Sequence, residues 1–420
     1  LIASISALIF MIAIVFSIVL PRFEKVQLLV DKLNQVIREN LSGLRVVRAF
    51  NTQKVQENKI KKAAKDSMDL NIFVNRVLTV MFPVMSIIMG VTSVVIIYLG
   101  NEYFLGVVDG FDPGGLIALQ QYSMQAILAF MFLSFTFIMI PRALISARRV
   151  AEVLNRNIEI KDSETVLELP ETFKGEITFH DVSFQYQDAP QPILKNISFT
   201  AKANQTTAFI GSTGSGKSTL IHLIPRFYDV SGGSITIDGI DIREMKQHDL
   251  HQLIGYVPQQ GILFSGSIKK NILFGQDITD EKGMEQAATI AQAKPFIESF
   301  EGQYDYMIAQ GGKNVSGGQR QRLSIARAIA KKPRIYIFDD SFSALDYQTD
   351  QALRQALSQE IKSTKLIVAQ RINSIKDADQ IVVLEQGIIV GIGTHESLLK
   401  DNQVYQEIAS SQLSKEELSR

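Results

Sequence analysis

The sequence predicts a membrane protein in two parts: an all-helical membrane segment, then a water-soluble α/β domain built around a phosphate-binding loop. Three observations carry this. Up to Ile140 the apolar residues fall in long uncharged blocks, whereas from Arg142 onward charged, apolar and turn residues mix. An apolar run ending at Ile210 breaks into Gly211-Ser-Thr-Gly-Ser-Gly-Lys-Ser218, the full spacing G-x-x-x-x-G-K-[ST]. A second apolar run, Ile335 to Phe338, ends in Asp339 and Asp340.

The membrane segment is expected over residues 1–154. Leu1 to Leu20, Val77 to Leu99 and Gly114 to Ile140 carry no charge, and a helix of roughly 20 residues crosses a hydrocarbon core of about 30 Å. Three buried helices of a soluble protein would need a very large core to hide them. Lys and Arg are frequent from Arg22 to Lys65 and missing from Asn101 to Pro113, so the first of these loops is cytoplasmic. Arg142, Arg148 and Arg149 put the rest of the chain on that same side. Residues 21–71 show helical spacing (Val26, Leu29, Val30, Leu33), predicting a cytoplasmic helical hairpin with a short helix at its tip near Phe50 to Asn58. Gln121 and Gln125 share a face of the third span; they line a polar cavity or bond a neighbouring helix. Because Leu1 already lies inside an apolar run, the chain is expected to be the C-terminal portion of a longer protein.

Residues 155–174, with Pro170 and scattered acids, read as a linker to the soluble domain at 175–415. That domain opens with alternating residues from Glu176 to Tyr186 that suggest strands, and Tyr186 stands before a turn at Asp188 to Pro192. In the loop, Gly211, Gly214 and Gly216 let the backbone curl, with Ser212 and Ser215 between them, and the helix opening at Lys217, Ser218 and Thr219 adds its positive end. Lys217 suits terminal phosphate oxygens, and Ser218 suits Mg²⁺, which prefers hard oxygen ligands. Asp339 and Asp340, at the carboxyl end of a buried strand, are placed for Mg²⁺ and for an attacking water; taken alone, such a pair is equally an ordinary helix cap. Ser316, Gly317, Gly318 and Gln319 open another helix and form a second anion-receiving device, which hints at a dimer in which each chain caps the other's loop. Lys+Arg and Asp+Glu balance at 43 each, so nothing points to nucleic acid, and the absence of cysteine excludes disulfides and thiolate metal sites.

Taken together, Gly211–Ser218, Ser316-Gly-Gly-Gln319, the strand into Asp339, and Ser343-Ala-Leu-Asp346 resemble an ATP-binding-cassette (ABC) transporter, and with the upstream helices a bacterial exporter half-transporter. The resemblance implies a partial exporter transmembrane domain, the last three of six spans, fused to an ABC-type P-loop ATPase in the bacterial plasma membrane. ATP and Mg²⁺ are the implied cofactors, and a second half-transporter, membrane lipid and a small amphiphilic substrate the implied partners. It implies that Tyr186 stacks on adenine, that Gln259 is the Q-loop glutamine at the Mg²⁺ and catalytic site, that Ser316, Gly317 and Gln319 cap a partner's ATP, that Asp346 is the D-loop aspartate, and that Phe50–Asn58 is the coupling helix.

Two departures stand out. The family usually has glutamate at Asp340 and histidine at Gln370. Shortening a base by one methylene retracts its carboxylate by about an ångström, and misplacement on that scale costs about 100-fold in rate. Glutamine cannot carry a charge or shuttle a proton. Gln310 and Gly311 also replace the usual Glu-Arg pair before the signature. The expectation is a degenerate subunit of a heterodimeric multidrug exporter, slow at its own loop and capping a faster partner site. The alternatives are a homodimer that hydrolyses slowly through Asp340, and an ATP-gated channel or regulator. Phe130, Phe132, Phe135 and Phe137 suit drug-like molecules and suit lipid equally.

Overall fold

The computed structural model describes residues 2–105, 113–162, 173–187, 189–276 and 280–413. The chain divides after Asn157 into two compact units.

The first unit is helical: α1 (Ile2–Ser42), α2 (Leu44–Ala49), α3 (Gln53–Leu105) and α4 (Pro113–Leu154). Helices α1 and α3 are each long and apolar enough to cross a membrane. At 53 residues, α3 would reach about 80 Å, so it continues far beyond a bilayer core of about 30 Å. The third expected span falls on α4, where the side chains of Phe135, Phe137 and Arg142 lie outside the described ones; residues 106–112 of the expected neutral loop do too. Leu8, Val15 and Val19 pack with Val74, Met81, Met85 and Ile127. Polar pairs add directional contacts between these helices: the Ser4 and Thr92 hydroxyls share a 2.7 Å bond, and Gln120 Nε2 donates to Ser93 Oγ at 2.8 Å. Gln121 and Gln125 are exposed on the single chain; the glutamine that bonds across helices is their neighbour Gln120.

The tip of the hairpin departs from expectation. Its short helix is α2 at Leu44–Ala49, and Gln53 to Asn58 form the first turns of α3. Gly43 interrupts α1, and Asn51 ends the turn after α2 at φ +52°, a left-handed conformation that asparagine tolerates better than most residues. The polar stretch after it is the solvated start of a long helix. Val46 and Phe50 remain exposed at the tip.

The second unit runs through β1 (Ile177–Phe184), β2 (Leu194–Ala201) and β3 (Thr206–Ile210) into α5 (Lys217–Leu223), then β4 (Gly232–Ile237), β5 (Ile240–Asp241), α6 (Gln247–Leu253) and β6 (Ile254–Val257). A helical portion follows with β7 (Gly266–Ser267), α7 (Ile268–Ile272), α8 (Glu281–Ile290), α9 (Lys294–Glu298) and β8 (Met307–Ile308). The chain then forms α10 (Gly317–Ala330), β9 (Ile335–Asp339), α11 (Tyr347–Glu360), β10 (Thr364–Val368), β11 (Gln380–Glu385), β12 (Ile388–Gly393), α12 (His395–Asp401) and α13 (Gln403–Gln412).

Six strands form the main sheet in the order β12-β11-β3-β10-β9-β6, parallel except for β12. Strands β9 and β10 are buried along their whole length because both faces are covered there. Phe209, Ile335 and Ile337 face one core; Ala208, Ile210, Tyr336 and Phe338 face the other. The first core is closed by an antiparallel sheet, β2-β1-β4-β5, and by α5 through Leu220, Ile221 and Leu223. The expected strands at 176–186 are one strand, β1, whose register shifts between Phe179 and Val182 where Asp181 adopts φ +49°. Of the linker, residues 163–172, including Pro170, lie outside the described residues, as does Asp188 of the expected turn. Phe173, just beyond, is buried in the first core. Asp162 accepts from the Gln247 backbone N–H at 2.9 Å and so caps α6; that bond is the first cause holding its carboxyl below the usual range.

Ile337, fully buried on central strand β9, tests this arrangement. Ile337→Ala should cost about 2–5 kcal/mol, read as a lower unfolding midpoint of the detergent-solubilised protein.

Candidate nucleotide-binding site

The site assembles at the carboxyl ends of neighbouring parallel strands. Phe209 on β3 is in register with Val368 on β10, and Val368 with Asp339 on β9. The chain leaves these strands as three adjacent segments: the loop from Gly211, the turn at Asp340, and the loop at Gln370. Crevices at strand carboxyl ends are where such sheets bind ligands.

The loop from Gly211 to Gly216 depends on its glycines. A Cβ at Gly211 would lie 2.0 Å from the Leu384 carbonyl oxygen, and Gly216, at φ +99°, would drive one to 2.7 Å from Leu194 Cδ2. Helix α5 begins directly after Gly216, so its first N–H groups lack intrahelical acceptors and face the loop. The Lys217 ammonium lies inside the curl, donating to the carbonyl oxygens of Gly211 at 2.9 Å and Ser212 at 2.8 Å and to Ser215 Oγ at 3.3 Å. Burial lowers its pKa, while Asp340 and Asp339 oppose that shift.

Ser218 Oγ donates to Asp339 Oδ1 at 2.8 Å. These are two hard oxygens side by side at a helix start, a donor set that fits Mg²⁺ shared with phosphate oxygens. Asp340 follows at φ +46°, held by its N–H donating to Val368 O and by Ser343 Oγ donating to its carbonyl. Two amides converge on one oxygen of its carboxylate: Gln370 Nε2 donates to Oδ2 at 2.9 Å and Gln259 Nε2 at 3.3 Å. Burial raises the pKa of Asp340; the Ser343 hydrogen bond works against it, Asp339 adds to it, and Gln259 and Lys217 work against it. Tyr186 stands at the edge of the loop, its OH sharing a 3.3 Å hydrogen bond with Thr219 Oγ1 and its ring edge-on to Phe184 and Tyr228.

The signature residues stand apart. Ser316 N-caps α10 with a complete capping box: the Gln319 N–H donates to Ser316 Oγ at 3.2 Å, and the Ser316 N–H to Gln319 Oε1 at 2.9 Å. Among the described residues, no hydrogen bond joins Ser316, Gly317, Gly318 or Gln319 to the loop at 211–219, and Ser316 and Gly317 are exposed. Asp346 N-caps α11, accepting from the Thr349 N–H at 2.9 Å and its hydroxyl at 2.8 Å. Gly311, where the usual arginine is replaced, sits at φ +69°. So the fold brings Tyr186, Gly211 to Thr219, Gln259, Asp339, Asp340 and Gln370 together, and leaves 316–319 and Asp346 facing elsewhere.

Sequence reasoning missed the support behind Asp339. His222 Nε2 lies 3.5 Å from Asp339 Oδ2 and 3.0 Å from the Tyr256 hydroxyl. Burial first, and then Asp339, push the Tyr256 phenol up, so it stays neutral. One half of this was findable, since His222 follows Ser218 by four residues and shares its helical face. Tyr228, against Tyr186, carries no comparable local signal.

Comparison with known proteins matches this geometry. The family profile described as the ABC transporter matches residues 194–343, and that of the ABC transporter transmembrane region matches residues 1–139. An ABC transporter ATP-binding protein of Mycobacterium tuberculosis (strain ATCC 25618 / H37Rv) is 39% identical over 403 residues, 95% of this chain and 68% of its own length. An ATP-dependent lipid A-core flippase of Desulfotalea psychrophila is 35% identical over 382 residues, 91% of this chain and 66% of its own. The structure of a bacterial Atm1-family ABC exporter with ATP bound superposes with TM-score 0.87 at 28% identity, over 99% of this chain and 72% of that one.

The loop geometry makes a direct test. A non-glycine residue in the left-handed conformation of Gly216 costs about 1–3 kcal/mol, and its Cβ would meet Leu194. Gly216→Ala should weaken binding of a fluorescent ATP analogue about tenfold or more, with the far-ultraviolet circular dichroism unchanged.

Proposed function

Because the chain belongs to the ABC transporter family, as an exporter half-transporter with its ATP-binding domain on the cytoplasmic side of the membrane, we propose that it is the slow-site subunit of a heterodimeric exporter. Its own loop holds ATP for long periods, while Ser316, Gly317, Gly318 and Gln319 complete a faster site on a different half-transporter. One observation carries this reading: Gln370 and Gln259 both spend their amide N–H groups on Asp340 Oδ2, at 2.9 and 3.3 Å. Both bonds favour the charged form of that oxygen and so oppose its use as a base, although burial leaves the pKa of Asp340 raised overall. Asp340 is also a methylene shorter than the family's glutamate, and Gln370 donates a hydrogen bond but cannot ionise to shuttle a proton.

Within this reading Tyr186 supports the adenine ring, Lys217 the terminal phosphates, and Asp346 the interface between nucleotide domains. Ser218, Asp339 and Gln259 would hold Mg²⁺, which when bound neutralises phosphate charge. Closure of the two nucleotide domains on ATP would move the hairpin at residues 21–71, its short helix α2 included, and with it three spans at about residues 1–20, 77–99 and 114–140. Amphiphilic or drug-like substrates suit the uncharged spans, and a relative named as a lipid A-core flippase supports an amphiphile.

The second reading is a homodimer in which Asp340 itself serves as a slow base. Burial that raises the pKa of Asp340 favours it, since that is the direction a base needs near neutral pH. A transport-competent dimer formed from this subunit alone would establish the homodimer.

In the purified pair, Asp340→Asn should leave most of the ATPase activity, and Ser316→Arg should remove it by about 100-fold or more, the scale of losing a transition-state donor. Equal losses from the two substitutions would exclude the asymmetric assignment.

A further inference from the structure

The loop that carries Gln370 is gripped from a distant part of the chain. Gln412, the last residue of α13, lies 42 positions downstream, and its side-chain amide makes both halves of a peptide-like pairing with this loop. The Ile372 N–H donates to Gln412 Oε1 at 2.9 Å, and Gln412 Nε2 donates to the Gln370 carbonyl oxygen at 2.8 Å. From Gln370 the path continues to the site, since its own Nε2 donates to Asp340 Oδ2 at 2.9 Å.

The two ends of this grip are held differently. Helix α13 is fixed at its start: Asn402 accepts from the Tyr405 N–H at 2.8 Å and donates to Val390 O at 2.8 Å, and the Tyr405 hydroxyl bonds His395 Nδ1 at 2.7 Å. Tyr405 and Ala409 are fully buried. On the loop side, Ile372 and Ile375 are buried in the same core, whereas Gln370 and Arg371 are exposed. Ala369 and Ile372 are buried on either side, and the Ser374 N–H donates to Arg371 O at 3.1 Å, so the Gln412 pair adds two bonds across the exposed link between held ends.

We propose that Gln412 is the positioning residue for Gln370. By bonding the backbone on both sides of Arg371, it fixes the direction in which the Gln370 amide points, and so couples the end of α13 to the state of Asp340. The functional part of this inference rests on the slow-site reading above; the structural part does not.

The test uses the full-length complex and four variants: Gln412→Leu, Gln412→Glu, Gln370→Ala, and Gln370→Ala combined with Gln412→Leu. Photoreactive labelled ATP is loaded, chased with excess unlabelled ATP, and cross-linked to this subunit to read how long the nucleotide stays. With about one net hydrogen bond's worth of the lost pair transmitted to the site, residence should shorten about three- to tenfold in Gln412→Leu. In the Gln370→Ala background the same change should add nothing. A full residence time in Gln412→Leu, or an equal loss in both backgrounds, overturns the proposal, the latter because a merely structural anchor would act without Gln370. Gln412→Glu keeps the acceptor for Ile372 and loses the donor to Gln370, so its residence should fall between those of the unaltered protein and Gln412→Leu.

Hydrogen exchange at the Ile372 amide separates this inference from the reading beneath it. Exchange should speed up in Gln412→Leu and stay slow in Gln412→Glu. Rapid hydrolysis at this subunit's own loop would overturn the slow-site reading while accelerated Ile372 exchange upheld the grip. Unchanged exchange in Gln412→Leu overturns the grip whatever chemistry the site performs.

Discussion

The candidate site depends on the parallel register of three strands. Phe209, Val368 and Asp339 lie side by side on β3, β10 and β9, so three segments far apart in sequence leave the sheet at one level. Two hydrogen bonds extend that register past the strand ends: the Ala369 N–H donates to Phe209 O, and the Asp340 N–H to Val368 O. A slip of one residue would exchange the two faces of a strand and send Phe338 into the space of Ile337. The apolar cores on both faces therefore specify the register, and the register specifies which polar groups meet. In this sense the geometry around Asp339 is set by residues that touch no ligand.

Much of this was legible because the determining patterns are local. Glycines at the phosphate loop, an apolar run before Asp339, and a serine three positions before a glutamine at Ser316 each state their own backbone geometry. Long uncharged blocks announced the membrane helices in the same way. What the sequence left hidden was contact between elements. Gln412 meets Gln370 and Tyr256 meets His222 only because the fold brings their helices, strands and loops together. The tip of the hairpin shows a different limit: polarity marked its neighbourhood, but Gly43 and Asn51 decided where the short helix falls. Likewise the pattern picked out Gln121 and Gln125 as a face, while the rotation of α4 turned Gln120 toward Ser93.

Around Asp340 the balance of effects is chemical rather than geometric. Burial and the neighbouring Asp339 push its proton affinity up, and donors from Ser343 and Gln259 push it down. Glutamine at position 370 adds a neutral donor where a titratable ring would have brought a charge. The carboxylate is held by neutral amides, yet its pKa stays raised, because burial outweighs them. Asp339 has its own support: Ser218 on one oxygen, and on the side of the other His222, which is itself bonded to the Tyr256 hydroxyl.

The capping box at the start of α10 has a consequence for assembly. Ser316 and Gln319 satisfy each other's backbone N–H groups within one chain, so the backbone of this helix end is ordered before any second molecule arrives. Ordering a loose segment at the moment of association would cost conformational entropy, on the order of 1–2 kcal/mol for each backbone residue fixed. A surface that is already ordered loses only its rigid-body freedom. Encounters between surfaces ordered in advance are governed by collision and orientation rather than by folding.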